Sequence, residues 1–325
     1  MGGESGLAAR IILRAQKDKN LSKLVANFLT INPPDIEKTI NLWAISGIPK
    51  YVKGADFLRK TYFYEIVKVL HETKVLTEPS LAMALLDLHK TIQKKEELSA
   101  VISLNHDHLF MSAFQKVYGG VNLGFDFESD INFVSKIGNE PPPLIHLHGC
   151  FSWNTAHKIN VNRLSLDTQY SDNMLWIPPN IIKEARLYPY NKLAGLAHEV
   201  LSKECDILRV IGCSLSQNDW NLISIISTAQ NIQKLRKNGA CFRIELIMPL
   251  EASKHVKSNC SYLDNIFGFD RIIQLAGFDE LDGKSRIPDS DNPFLFWLKN
   301  KVRFLDADDK KELGEYVKKA LGEKQ

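Results

Sequence analysis

The chain has 325 residues, 44% hydrophobic and 24% charged, with 41 basic against 38 acidic side chains and a formal net charge of +3; that suffices for one large α/β domain or two modest ones. So small a charge gives no support to direct nucleic-acid binding, which should leave a much stronger basic footprint. No run of about 18 apolar residues occurs, and Met1-Gly-Gly-Glu-Ser-Gly6 lacks the basic and apolar regions of a secretory signal, so the chain is expected in the cytoplasm with no membrane partner.

Gly2-Gly3-Glu4-Ser5-Gly6 leads into Leu7–Ala15, whose pattern predicts a helix. Glycines and a serine at a helix start can present backbone N–H groups to a phosphate, which makes Gly2, Gly3 and Ser5 candidate ligand-binding residues. Taken alone, the fragment favours a flexible start with a capping serine. A nucleotide loop normally follows a strand and none precedes this one, so the expectation is a chain that starts late or a loop with another role.

From Leu21 to Glu97 the periodicity is helical. Asn32-Pro-Pro-Asp35 supplies an N-cap and a proline start. Leu58, Tyr62, Ile66, Val69 and Leu70 form one apolar stripe, and Leu81, Leu85, Leu88 and Ile92 another. Turn signals stand at Ser46-Gly-Ile-Pro49 and Thr77-Glu-Pro-Ser80. The aromatic group Tyr62-Phe63-Tyr64 reads as core packing rather than a stacking platform.

Ala100–Leu104 is a short β-branched run that stops at Asn105-His106-Asp107-His108. In a parallel α/β sheet, ligands sit beyond the carboxyl ends of the strands. A helix over Leu109–Tyr118 is closed by Gly119-Gly120, and Pro141-Pro-Pro143 punctuates a second strand, Leu144–Gly149, with His148 and Gly149 at its tip. Phe151–Asn173 reads as a small hairpin insertion or lid. A helix over Tyr190–Lys203 precedes a third strand, Ile207–Ile211, which ends in Gly212-Cys-Ser-Leu-Ser-Gln-Asn-Asp219. A helix (Trp220–Lys234), a strand (Phe242–Met248), a helical piece around Glu251–Lys257 and a strand (Arg271–Leu275) follow. This alternation argues for a parallel sheet. From about Gly277 the character changes, and residues 282–325 are expected to form a helical extension docked by the aromatics of Phe294–Leu298.

Each polar group also has a bland reading. Asn105 and Asp107 suit the turn and cap of the next helix. His146 and His148 suit satisfied core histidines. His106 and His108 have metal-like spacing, but no cysteine or carboxylate partner is identifiable. Cys150 beside His148 reads as packing, because strand neighbours point to opposite faces. The five cysteines (Cys150, Cys205, Cys213, Cys241 and Cys260) form no Cys-x-x-Cys pair, so neither a zinc ribbon nor a dithiol motif is expected. Only the combination of strand ends favours an enzyme.

Taken in order, Met1-Gly-Gly-Glu-Ser5, Ser103-Leu-Asn-His-Asp107, His148-Gly149 and Gly212-Cys-Ser-Leu215 resemble the motif set of the sirtuin-like family of NAD-consuming proteins. Ser214-Leu-Ser-Gln-Asn-Asp219 is similar to a form seen in bacterial sirtuin-like defence proteins. The resemblance spans about residues 1–281. It implies a Rossmann-like parallel sheet with helices on both faces, interrupted by a helical insertion at about 21–97 and a small one at about 151–175. Sirtuin deacylases carry a zinc ribbon after the His-Gly pair; without it, the resemblance is to the non-zinc branch, which hydrolyses NAD itself, often during phage infection. That implies NAD as substrate and no metal. Asn105, His148 and Asp107 would be catalytic, and Gly2, Gly3, Ser5, Gly149, Gly212, Ser214, Leu215 and Asp219 would hold NAD. The alternatives are an NAD-dependent protein deacylase and a non-catalytic NAD or ADP-ribose sensor.

The chemistry fits these residue types. Cleaving nicotinamide from ribose passes through an oxocarbenium-like transition state, and the cationic pyridinium leaves neutral, so no strong general acid is needed. An amide such as Asn105 can hold the attacking water or a ribose hydroxyl with both its donor and its acceptor. A neutral His148 can accept a proton. A hydrolase that was always active would deplete its own cell, so a gate is expected: oligomerisation, a partner protein or the helical insertion.

Overall fold

The computed structural model describes residues 7–19, 22, 36–72, 82, 86, 97–124, 141–154, 160–161, 168–178, 189–211, 213, 215, 219–247 and 273–274. Expectations for Gly2, Gly3, Ser5, Gly212 and Ser214 lie outside these residues, as do those for residues 32–35, 77–80, 251–257 and 282–325. Backbone contacts divide the chain into two units built from interleaved segments. One holds Met1–Glu78, Leu104–His108 and His148–Tyr190; the other holds Pro79–Ser103, Leu109–Leu147 and Asn191–Gln325.

The first unit begins with helices α1 (Leu7–Lys17), α2 (Ile36–Ile45) and α3 (Pro49–Glu72). Ile11 and Ala15, Ile40 and Trp43, and Ala55 and Leu58 form one buried cluster. Spacings of three and four residues put each pair on a single helix face. Fully burying a large apolar side chain of this kind contributes about 1.5–3 kcal/mol. Arg14 on α1 adds an ion pair to the buried Glu65 on α3 at 2.8 Å. Between α2 and α3, the Ser46 hydroxyl donates to the Trp43 carbonyl at 2.8 Å and accepts from the Ile48 amide at 3.2 Å. The turn expected at Ser46–Pro49 is therefore there, built on a serine that satisfies a helix end.

An antiparallel sheet completes this unit. Its strands are β3 (Gly149–Asn154), β4 (Asn160–Val161) and β5 (Met174–Trp176), in the order β4-β3-β5. The hairpin expected after Gly149 is present, but the run Leu144–Gly149 is not one strand. Strand β2 (Leu144–His146) ends early, Leu147 and His148 form a turn, and Gly149 opens β3. The cause is local: Gly149 has φ +74°, a left-handed backbone that breaks a strand and suits glycine alone.

The second unit carries the parallel pairings. Strand β1 (Val101–Ser103), helix α4 (Leu109–Tyr118) and β2 follow one another, and β1 pairs with β2 in the register Val101↔Leu144, Ile102↔Ile145 and Ser103↔His146. Helix α4 stops where expected, with Gly119 at φ +74° donating its amide to the Gln115 carbonyl at 3.1 Å. Then come α5 (Tyr190–Lys203), β6 (Ile207–Ile211), α6 (Trp220–Arg236), β7 (Arg243–Ile247) and β8 (Ile273–Gln274), with parallel order β6-β7-β8. Two βαβ arrangements thus stand where the alternating pattern put them. The described residues form a mixed α/β protein with parallel sheet and six helices.

A buried glutamine ties the second βαβ arrangement together. The Gln233 side-chain amide donates to the carbonyls of Leu201 at 2.9 Å and Cys205 at 2.7 Å, and its oxygen accepts from the Phe242 amide at 2.7 Å. Gln230, one turn earlier, donates to the Phe242 carbonyl at 3.2 Å. These bonds serve the end of α5 and the approach to β7, backbone groups that burial would otherwise leave costly.

Candidate active site

Ser103 pairs with His146, so the chain leaves β1 and β2 at neighbouring carboxyl ends, and the Leu147 amide donates to the Ser103 carbonyl at 3.0 Å. Within the first unit, the two continuing segments pack against each other. The Phe151 amide donates to the His106 carbonyl at 2.7 Å, and the Cys150 thiol donates to the Asp107 carbonyl at 3.3 Å. These two bonds join the segment that carries Asn105 and Asp107 to the one that carries His148 and Gly149. Asn105 is exposed and Asp107 half-buried, whereas His148 is 5% exposed.

The His148 carbonyl accepts from the Ile177 amide at 2.8 Å, which fixes the turn against the end of β5. A Cβ added to Gly149 would collide with the Leu175 carbonyl oxygen and stand 2.9 Å from the Trp176 Cα. The backbone that approaches Gly149 closely is therefore that of β5.

Aromatic rings surround this junction. His106 contacts Phe151, Trp176, Tyr62 and His148. Tyr62 stacks on Trp176 with an interplanar angle of 1°. Phe63 meets Phe151 edge-on at 4.9 Å. The reading of Tyr62-Phe63-Tyr64 as packing agrees with this, but what they pack against is the histidine junction. The place of Trp176 was not foreseen; the only signal was a tryptophan just before the Pro178-Pro179 break.

Cys150 is fully buried, and its sulfur lies 3.0 Å from the Ser152 hydroxyl. Burial pushes the thiol up to about 12, so it stays protonated near neutrality and has no thiolate with which to attack. Among the described residues, no group of three or more His, Cys, Asp and Glu side chains is arranged to hold a metal ion.

Of the third strand end, Leu215 and Asp219 are described, and both belong to the second unit. Leu215 has φ +45° with its side chain buried, a left-handed backbone that costs a non-glycine residue roughly 1–2 kcal/mol. Strain of this kind collects at ligand-holding turns. Asp219 precedes α6 without a side-chain capping hydrogen bond to it.

Parallel strands β1 and β2 thus run on into the Asn-x-Asp and His-Gly segments, and in α/β proteins the ends of such strands are where ligands commonly bind. The family model described as a SIR2-like domain matches residues 99–262, half of the chain, and the chain belongs to that family. The family uses NAD, so the domain points to an NAD-utilising enzyme. A comparison with curated proteins found no match.

Proposed function

We propose that this chain is a SIR2-like NAD glycohydrolase that converts NAD+ to nicotinamide and ADP-ribose, and that it depletes NAD in antiphage defence. The observation that carries the reading is the junction of the two motif segments. The 2.7 Å bond from the Phe151 amide to the His106 carbonyl joins them, with Asn105 exposed and the His148 ring in contact with that of His106. The bond from the nicotinamide nitrogen to ribose C1′ breaks, its electron pair going to the departing ring. Water bonds to C1′, and its proton passes to the His148 imidazole and on to solvent. Asn105 holds the water or a ribose hydroxyl, and Asp107 fixes the loop or bonds the carboxamide.

In this reading Gly2, Gly3, Ser5, Gly149, Gly212, Ser214, Leu215 and Asp219 hold the rest of NAD. Among the described residues β1-β2 and β6-β7-β8 are separate parallel sheets; in this reading both follow the Rossmann-like βαβ pattern, and no step needs a metal. The absence of Cys-x-x-Cys pairs among the five cysteines favours hydrolysis over deacylation, which in this family goes with a zinc ribbon. The protein is cytoplasmic and gated by oligomerisation, a partner protein or its helical insertion.

The test is to incubate the full chain with NAD and follow nicotinamide release. Asn105→Ala and His148→Ala should each lower the rate by about 100-fold or more. Release that requires an acyl-lysine peptide would instead indicate a deacylase, and stoichiometric NAD binding without turnover a sensor. Equal release by wild type and both variants would sink the proposal.

A further inference from the structure

His106 stands between Asn105 and Asp107, yet its side chain is 8% exposed and takes no part in the chemistry set out above. Its ring is enclosed by residues from three elements. It stacks on Phe151 of β3 at 5.2 Å between centroids and 29°. It meets Trp176 of β5 edge-on at 5.2 Å and 79°, and Tyr62 of α3 edge-on at 6.1 Å and 78°. The His148 ring lies 6.2 Å away, tilted by 34°. The backbone is held as well, because the His106 carbonyl accepts the Phe151 amide at 2.7 Å.

A ring bounded in this way has few rotamers open to it, since packed interiors leave little free volume. Whatever rests against it inherits the restriction. His148 occupies a turn between two strands and is itself buried, so the rotamer its imidazole takes is set by the side chains packed around it, the His106 ring among them. A proton acceptor has to lie within hydrogen-bond reach of its donor, and misplacement by about 1 Å can cost about 100-fold in rate.

We propose that His106 is a positioning residue for His148, acting through the shape of its ring rather than through its nitrogens. This rests on the reading of His148 as proton acceptor in NAD hydrolysis. The wall of aromatic rings around His106 then serves the reaction, although none of its members touches the substrate.

Two measurements on the full chain test it. The first needs no NAD: with histidine rings labelled with 13C, and signals assigned through His106→Phe and His148→Gln, ring protons of His106 and His148 should show a nuclear Overhauser cross-peak. Its absence overturns the proposal. The His148 signal should stay in place in His106→Phe and move to the averaged position of an exposed histidine in His106→Ala. The second measurement is turnover. His106→Ala should lower kcat about tenfold with KM changed less than about twofold, and His106→Phe should restore kcat to within about threefold of wild type. A Phe variant that folds but performs no better than the Ala variant, or an effect confined to KM, overturns the proposal. If His106→Ala does not fold, the wild-type cross-peak and the Phe variant decide. A cross-peak in a protein without turnover sinks the hydrolase reading, and the behaviour of the His148 signal in the two variants then decides whether His106 orders it.

Discussion

Gly149 directs the chain out of the turn that carries His148. Gly149→Ala would impose a left-handed backbone on an L side chain, at about 1–2 kcal/mol, and drive its Cβ into the Leu175 carbonyl. The variant is expected to unfold at lower urea and to lose most nicotinamide release. The buried thiols make a second prediction at this scale. Burial pushes both Cys150 and Cys205 up to about 12 from an ordinary 9.0. The folded protein therefore keeps protons that the unfolded chain releases, and stability should be level below about pH 9 and fall as pH rises from there toward 12. Urea midpoints across that range check the sign. In the native protein iodoacetamide should modify Cys213 and Cys241, which are half-buried, and spare Cys150 and Cys205. Asn105 and His148 are candidates in the sequence because each follows directly on an apolar run, and Asp107 because it stands two residues after Asn105. The enclosure of His106 could not, because Tyr62, Phe151 and Trp176 reach it from distant parts of the chain that no local periodicity connects.

Elements of the βαβ type were the most legible. Helices Leu109–Tyr118 and Tyr190–Lys203 and strand Ile207–Ile211 have the expected bounds, because apolar spacing and glycine punctuation agree there. The strand around Leu144 was read too long, since Leu147 and Gly149 continue the apolar run while the turn depends on a backbone angle that hydrophobicity does not encode. Gln233 was missed for a related reason: a glutamine in a helix reads as solvent-facing until its partners at Leu201, Cys205 and Phe242 are known. Gln233→Leu should therefore cost about 3 kcal/mol, since buried backbone groups lose their bonds. A drop in the urea midpoint at unchanged m-value would register it.

At the scale of the whole molecule, the match to the SIR2-like domain begins at residue 99, whereas Tyr62 and Phe63 of α3 pack against His106, Phe151 and Trp176. The matched region thus leaves out part of the packing of the first unit. A fragment of residues 97–262 should expose those rings, be recovered mainly as aggregate, and release no nicotinamide. Co-expression with residues 1–96 should restore some soluble material if the packing is the reason. Soluble, active fragment alone would contradict the division into units.

The interleaving of the first unit also sets a timetable for its birth. Phe63 leaves the ribosome well before its partner Phe151, and Tyr62 waits for Trp176, which lies 114 residues further on. At roughly 5–20 residues per second that delay is on the order of ten seconds. Throughout it, the part of α3 that Phe151 and Trp176 will cover stays open, a natural target for a chaperone that grips nascent chains. Slowing synthesis beyond α3 should prolong that exposure and lower the yield of soluble protein.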